Sequence, residues 1–232
     1  MKAPRFLLAA CIALALAFTF SCSSDSSDDP LPVQSSSSDD GGSSSSSSGG
    51  NSSSSDGAQV GIGCGIQGYN TVQIGDQLWM AENLNCDVSG SECYDDDPSN
   101  CEVYGRLYTW EAAMSVCPSG WYLPSNADWD ELMDAVGGIS VAGTKLKKTS
   151  GWYDESEYYI TGTDEYGFSA LPGGLGIWDG SFRYVGDSGN WWSSSEYDSL
   201  SAYGRGMSYD GSSVGWGDKA KAFLFSVRCL QD

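Results

Sequence analysis

Aromatic side chains next to carboxylates and amides recur in the second half of the chain. Flat aromatic rings can stack on the apolar C–H faces of sugar rings, while neighbouring carboxylates and amides accept hydrogen bonds from sugar hydroxyls. The candidates for such a ligand-binding surface are Trp178, Asp179, Asn190, Trp191, Trp192, Glu196, Tyr197, Asp198 and Trp216, with Trp152 and Tyr153 as further aromatic candidates. Because the chain has 9 Trp and 13 Tyr, a core position is the competing interpretation for each aromatic residue.

The absence of histidine from the sequence restricts the chemistry of any site. It removes Ser-His-Asp and Cys-His catalysis and every histidine-containing zinc or iron site. Two carboxylates at a set separation can still hydrolyse a glycosidic bond, so a carboxylate-pair glycosidase is one alternative. We predict no enzyme activity and no catalytic residue.

Three consecutive carboxylates, Asp95, Asp96 and Asp97, are the best candidate for a cation site. Calcium prefers such oxygen ligands, but no Asp-x-Asp-x-Asp-Gly loop with a terminal Glu follows them. We therefore interpret the segment as a solvated acidic loop and keep calcium as an alternative. No metal site and no cofactor are predicted.

The charge balance excludes one class of partner. The chain carries 11 Lys+Arg against 31 Asp+Glu, a formal net charge of -20. A chain this acidic repels nucleic acid phosphates and has no basic stripe to bind them. We predict no nucleic-acid partner.

The N-terminus is typical of an exported lipoprotein. A positively charged start and a run of apolar or small residues from Phe6 to Phe20 indicate a signal peptide, which we place at 1–21. Cys22 then follows as the predicted lipid attachment site. The residues before Cys11 match the short run of small or aliphatic residues that precedes a lipidated cysteine better than those before Cys22 do. Lipidation at Cys11 would, however, leave an apolar core shorter than the roughly 7 to 15 residues that a signal peptide needs. Ordinary cleavage without a lipid is the alternative.

Residues 22–57 are almost all Ser, Asp and Gly, with no aromatic residue and no positive charge. Such a segment cannot bury enough apolar surface to fold and is expected to be a disordered tether. We predict a bacterial outer membrane lipoprotein, attached to the membrane by its lipid anchor and exposed at the cell surface. One folded domain is predicted over 58–232.

Local patterns predict the elements that position the candidate residues. Residues 69–84 alternate around Gly75-Asp76 as a hairpin. Helical spacing predicts one helix over 107–117 and a second after Ser125, where Trp129, Leu132, Met133 and Val136 form an apolar stripe. Ser125 and Asp128 suit a capping box at its start, and Gly137 a left-handed stop at its end.

The C-terminal half is predicted to be irregular before it becomes a sheet. No helical period persists over 141–190, which we interpret as a long structured loop region. Three strands follow, at 191–195, 202–209 and 222–230. In the last, Phe223, Phe225 and Val227 alternate toward one face.

Several ordered sequence blocks resemble one family. WMAENL, YGRLYTW, CPSGWYLPSNADWDEL, GFSALPGG, WWSSSE and SVRCL, in this order, resemble the Fibrobacter succinogenes major paralogous domain over roughly Gly68 to Asp232. That family is similar to the C-type lectin-like fold of sulfatase-modifying enzymes, whose LPTEAEWE motif resembles Leu123 to Glu131. The resemblance implies an α+β fold with two helices, a small antiparallel sheet and long loops.

The resemblance implies a fold more firmly than an activity. The Glu-Pro-Asn, Gln-Pro-Asp and Trp-Asn-Asp signatures of calcium lectins are absent, and Asn190-Trp191-Trp192 departs from the last. Formylglycine-type oxidation needs free thiols, whereas all six domain cysteines have plausible disulfide partners.

Six cysteines at 64, 86, 93, 101, 117 and 229 permit 15 pairings, among which sequence alone does not choose. Lectin-like folds usually tie a helix to the final strand, so the resemblance implies a disulfide between Cys117 and Cys229. Cys93 and Cys101 are close enough to close a local ring. This leaves Cys64 to pair with Cys86.

The sequence therefore predicts a surface-anchored lipoprotein with a non-catalytic binding or adhesion module. Its partner is expected to be a polysaccharide or another surface protein. An inert structural envelope protein is the main alternative, and the carboxylate-pair glycosidase is the second.

Overall fold

The computed structural model describes residues 68–155 and 157–232. The predicted signal peptide at 1–21, the lipid site at Cys22, the tether at 22–57 and Cys64 lie outside these residues. Within the described ranges, no helix combines the length and the apolar character that a membrane crossing requires.

The described residues form a mixed α+β fold in which four α-helices precede most of the strands. The helices are α1 Pro98–Tyr104, α2 Trp110–Val116, α3 Asn126–Ala135 and α4 Ile139–Leu146. A single 3-10 turn at Tyr94–Asp96 precedes α1.

Helix α3 confirms the predicted second helix. The Ser125 hydroxyl accepts a hydrogen bond from the Asp128 N–H, and the Asp128 carboxylate accepts one from the Ser125 N–H, which closes the capping box. The apolar stripe of α3 is buried: Trp129, Leu132 and Val136 are each 0% exposed and Met133 is 3% exposed. Gly137 follows the helix with φ of 101°, as predicted.

Two helices were not predicted. Asp97 caps α1 and Pro98 is its first residue, a usual start signal that the acidic-loop interpretation overlooked. Helix α4 lies where no helical period was found, because its buried face includes the small residues Ala142 and Gly143. Gly143 lies so close to the 212–213 backbone that a Cβ would be 2.5 Å from the Ser213 carbonyl oxygen.

The structure describes twelve short strands in these ranges. They are β1 Thr71–Ile74, β2 Gln77–Met80, β3 Ser91–Glu92, β4 Leu107–Tyr108, β5 Trp121–Tyr122, β6 Gly173–Gly176, β7 Phe182–Val185, β8 Ser188–Glu196, β9 Ser201–Ser208, β10 Gly215–Ala220, β11 Phe225–Ser226 and β12 Leu230–Gln231. The predicted first hairpin is confirmed as β1 and β2. The helix predicted over 107–117 begins only at Trp110, because Leu107 and Tyr108 pair in a sheet as β4.

The strands form two sheets that share the C-terminal segment. The first sheet has the order β1-β2-β12-β5. The second has the order β10-β9-β8-β11-β4-β3, and β6 joins it beside β8 and carries β7. The strand predicted over 222–230 is therefore two strands: β11 belongs to the second sheet and β12 to the first. This break lets one segment connect the two sheets.

A buried polar network fills the junction between the sheets. Arg228 is 0% exposed, and its guanidinium donates to Asn83 Oδ1 at 2.9 Å and to the Ser169 carbonyl at 2.9 Å. It also lies 4.3 Å from the Phe168 ring centroid. Asn83 Oδ1 accepts a second hydrogen bond from the Trp191 indole at 2.9 Å. Burial lowers the pKa of Arg228 to about 9, so the group remains charged near neutral pH.

A second buried cation holds the loops around β9. Lys147 is 0% exposed, and the three N–H groups of its ammonium are shared among four backbone carbonyls: those of Ile160 at 2.9 Å, Ser208 at 2.9 Å, Tyr209 at 3.3 Å and Gly211 at 3.0 Å from Nζ. Burial lowers the pKa of Lys147 to about 8, which the charge of Asp210 partly opposes. The ammonium group thus links the end of α4 to two separate loops.

Two disulfides join described cysteines, and both are the expected pairs. Cys117, after α2, is bonded to Cys229, just before β12, and Cys93 is bonded to Cys101. Cys86 is also disulfide-bonded. The first bond closes a loop with a sequence separation of 112 residues and the second a loop of 8.

We expect the two disulfides to contribute unequally to stability. Loop-closure entropy predicts that Cys117→Ser with Cys229→Ser lowers the free energy of unfolding by about 4 to 5 kcal/mol, against about 2 to 3 kcal/mol for Cys93→Ser with Cys101→Ser. Urea unfolding of both double variants measures the difference. Equal losses would contradict this account.

Replacement of Lys147 should destabilise the fold far more than replacement of its exposed neighbour Lys148. We expect Lys147→Met to cost about 3 kcal/mol or more, because four carbonyls lose their donor, and Lys148→Met to stay within about 0.5 kcal/mol. Urea unfolding at pH 7 compares the two variants.

The pH dependence of stability in the wild type and in Lys147→Met tests the pKa of Lys147. Its folded-state pKa of about 8 lies below the unfolded value of about 10.4, so the unfolded state binds more protons between these values. The stability advantage of the wild type over Lys147→Met should therefore grow by up to about 3 kcal/mol as pH rises through this window. A constant or falling difference would show that burial does not depress this pKa.

Candidate functional site

The structure buries the two adjacent tryptophans that the sequence offered as exposed binding residues. Trp191 and Trp192 are each 0% exposed. Strand β8 is interior to its sheet and is covered on both faces. Trp191 lies in a core cluster with the apolar stripe of α3, and Trp192 in a cluster with Val116 of α2. The prediction that they bind a ligand directly was therefore wrong.

The contacts of Trp191 and Trp192 are structural. Trp191 donates its indole N–H to Asn83, as described above. Trp192 stacks on Phe225 with ring centroids 4.4 Å apart and donates its indole N–H to the Tyr108 carbonyl at 2.7 Å. Trp152 is also buried, and it donates to the Ala170 carbonyl at 3.1 Å. Three of the candidate tryptophans, Trp152, Trp191 and Trp192, are thus part of the hydrophobic core.

Two other candidates lie together on the protein surface. Tyr197 is 55% exposed and Trp216 is 66% exposed, and half-buried Tyr203 lies between them. The ring centroids are 5.4 Å apart for Tyr197 and Tyr203 and 6.2 Å apart for Tyr203 and Trp216. The interplanar angles are 87° and 54°, so the three rings are contiguous but not coplanar. We call Tyr197, Tyr203 and Trp216 the aromatic row.

Strand pairing explains why these three residues meet. Tyr203 on β9 lies opposite Asp218 on β10, and Arg205 lies opposite Trp216. Directly opposed residues of antiparallel strands present their side chains on the same face, and residues two apart on one strand share that face. Tyr203 and Trp216 are therefore diagonal neighbours, and Tyr197 reaches them from the turn after β8.

Arg205 fastens this edge of the sheet to helix α3. It is 4% exposed, and its guanidinium donates to Asn126 Oδ1 at 3.1 Å, the Asn126 carbonyl at 3.3 Å and Asp130 Oδ1 at 2.9 Å. The Asp130 side chain is 68% exposed, so the ion pair spans from the interior to the surface. The backbone beneath Trp216 is thereby held against a rigid helix.

Two of the predicted carboxylates lie near the row. Asp198 follows Tyr197 in the turn between β8 and β9, and its Oδ1 accepts from the Leu200 and Ser201 N–H groups at 2.8 Å each. Glu196 forms a salt bridge with Lys221, whose Nζ lies 4.4 Å from the Trp110 ring centroid. Both side chains therefore have local partners as well as exposed positions.

The remaining candidates lie outside the row, although Asn190 lines the same small groove as Trp216. Trp178 is 73% exposed in the turn between β6 and β7, and in the described ranges no ring contact joins it to the aromatic row. Asp179 accepts from the Ser181 N–H and hydroxyl, and these bonds lower the pKa of its carboxyl group. Asn190 donates to the Gly174 carbonyl at 3.1 Å and to the Ser188 hydroxyl at 3.0 Å. Tyr153 is 44% exposed and packs against Tyr209.

Sequence reasoning missed Tyr203 and the strand that carries Trp216. Tyr203 alternates with Arg205 and Met207 in a strand that was predicted, so its face could have been assigned from that pattern. Strand β10 has the sequence GWGDKA, in which glycines, aspartate and lysine lower β-propensity. Only pairing with β9 makes it a strand.

The cavities are less informative than the aromatic row. A groove of about 160 Å³ lies over the glycines of β9 and β10, and Asn190, Trp216, Lys219 and Phe225 line it. It is smaller than the roughly 300 to 1,000 Å³ usual for ligand pockets. A larger cleft of about 490 Å³ lies between Glu82, Glu102 and Lys148. Its carboxylates are exposed or half-buried.

The described residues hold neither a buried carboxylate pair nor a cluster of metal ligands. No Asp or Glu is among their buried side chains. No group of three or more Cys, Asp or Glu within these ranges could hold a metal ion. The acidic loop is exposed at Asp95, Asp96 and Asp97, and Asp97 serves as the cap of α1.

Comparison with known proteins identifies the family. The model of the family described as Fibrobacter succinogenes major domain matches residues 72–231, which is most of the chain. The chain belongs to this family. Comparisons with curated proteins and with solved structures found no match.

The burial pattern predicts different outcomes for three tryptophan variants. Trp192→Ala should lower the free energy of unfolding by about 3 to 5 kcal/mol, because it empties a packed core position. Trp191→Phe should cost about 1 kcal/mol, since it removes the hydrogen bond to Asn83. Trp216→Ala should stay within about 0.5 kcal/mol. Urea unfolding measures all three, and a large loss for Trp216→Ala would show that this residue is structural.

Proposed function

We propose that this member of the family is a surface-anchored, non-catalytic binding or adhesion module that binds polysaccharide through its aromatic row. The lipid at Cys22 would hold the chain in the outer membrane, and the tether at 22–57 would extend the folded domain away from the surface. The observation that carries the proposal is the contiguous exposure of Tyr197 and Trp216 on either side of Tyr203.

The row differs from the core aromatics Trp152, Trp191 and Trp192 in that two of its rings, Tyr197 and Trp216, are exposed. Clustered apolar surface on a soluble domain often marks an interaction site. Aromatic rings with carboxylates beside them suit sugars, because the ring covers the C–H face while the carboxylate accepts from the hydroxyls. Asp218 and Asp198 are the carboxylates placed to do this.

The angles between the rings restrict the shape of the polysaccharide that the row could bind. Neighbouring rings are T-shaped or tilted, so the row does not form a flat surface for a crystalline polysaccharide. It suits a single chain whose sugar units turn relative to one another. A row of three rings also favours several consecutive sugar units over one monosaccharide.

We further infer a C-type lectin-like architecture for the domain. Its support is the disulfide that ties the end of α2 to the last strand, together with the long irregular segments between α4 and β8. Calcium-dependent binding is not part of the proposal, because neither the sequence motifs nor the described carboxylates favour it.

A glycan array with the full-length protein in detergent tests the proposal. We expect polysaccharide binding that Trp216→Ala and Tyr203→Ala weaken about 10- to 100-fold, the range for loss of one stacking aromatic. Trp178→Ala is the matched control, since it removes an equally exposed tryptophan from a different turn.

The outcomes separate the alternatives. Binding that depends on Trp216 but not on Trp178 supports the proposal. Binding that Trp178→Ala weakens equally would move the site away from the row. No binding to any glycan favours an inert envelope protein, and release of sugar from a bound chain would indicate a glycosidase.

A further inference from the structure

We infer that the aromatic row selects an uncharged polysaccharide and excludes anionic chains such as polyuronates. This inference rests on the proposed function and names the ligand class of the same surface. Its basis is the distribution of charge around the three rings.

Two carboxylates next to the row have no cationic partner. Asp218 is exposed and lies directly opposite Tyr203 across β9 and β10, so both side chains are on one face. Asp198 is exposed and follows Tyr197 in the turn. Neither forms a salt bridge with a described residue.

Each cation near the row is either paired with a carboxylate or directed to the other face of β10. Arg205 is buried and bound to Asp130 at 2.9 Å. Lys221 is bound to Glu196. Lys219 is exposed and forms no salt bridge with a described residue, and because it is one residue from Asp218 its side chain points to the other face of β10. The face that carries the row thus has carboxylates in excess.

This arrangement distinguishes ligand classes by charge. A hydroxyl of a neutral sugar can donate to Asp218 or Asp198 while its ring covers an aromatic face. A uronate or sulfate in the same position would bring like charges together without a cation to compensate. The net charge of -20 adds a longer-range repulsion that is strongest at low salt.

The test compares full-length protein on two soluble polysaccharides by isothermal titration calorimetry at low and high salt. The probes are a neutral mixed-linkage β-glucan and the anionic polygalacturonate. We expect the neutral chain to bind at least tenfold more tightly at low ionic strength. High salt should reduce that preference, since it screens the repulsion from the carboxylates.

A charge reversal tests the assigned residue. Asp218→Lys should strengthen binding of polygalacturonate by about tenfold at low salt, because a repulsive contact at roughly 5 Å becomes attractive. Asp76→Lys is the control, since it changes the net charge equally at an exposed position in the turn between β1 and β2. The control should leave the preference unchanged.

Each outcome decides between the two claims. Equal binding of both polysaccharides, or preference for polygalacturonate, would overturn the inference and leave the proposed binding function standing. A gain for Asp76→Lys equal to that for Asp218→Lys would also overturn it, since only net charge would matter. Absence of binding to either class, and to the whole glycan array, would reject the proposed function itself.

Discussion

The C-terminal segment from Phe225 to Gln231 holds the two sheets in one fold, because its first two residues pair in one sheet and its last two in the other. Between them, Arg228 occupies a fully buried position that a cation can hold only with several acceptors around it. Asn83 and the backbone carbonyls of the loops supply these acceptors. The Cys117–Cys229 disulfide fastens the same segment to the end of α2.

Backbone carbonyls compensate both fully buried cations of the described region. Arg228 and Lys147 have no buried carboxylate beside them, since no described Asp or Glu is buried. Carbonyl groups from separate loops converge on each cation instead, so each cation fixes the loops that surround it. The loops around β9 are therefore ordered by Lys147 from inside the protein, and the carboxylates remain at the surface.

The sequence predicted the parts of the fold that local patterns determine. The capping box of α3 and the first hairpin depend on neighbouring residues, and both are confirmed. Helix α4 was missed because its buried face uses small residues, whose value depends on the loop at Ser212 and Ser213 packed against it. Long-range packing of this kind leaves no local period.

In the candidate site, too, the sequence predicts what local patterns determine and misses what depends on long-range packing. Trp191 and Trp192 have the composition of a binding motif, but their strand is covered on both faces by helices that are distant in sequence. Tyr197 and Trp216 were offered as candidates and are exposed, whereas their contact through Tyr203 depends on the register between β9 and β10. No spacing rule along the chain contains that register.

Burial of some aromatics and exposure of others separates stability from the proposed binding role. The core tryptophans have packing partners and, for Trp191 and Trp192, acceptors for their indole N–H groups. Strand β10 is an edge strand, and its side chains contribute little to the interior. Its exposed residues can therefore change with little cost in stability, while Arg205 keeps the underlying strand fixed to α3. An edge of this kind would permit the proposed ligand specificity of the row to vary on an unchanged fold, because the residues that would recognise sugar are not those that hold the sheets together.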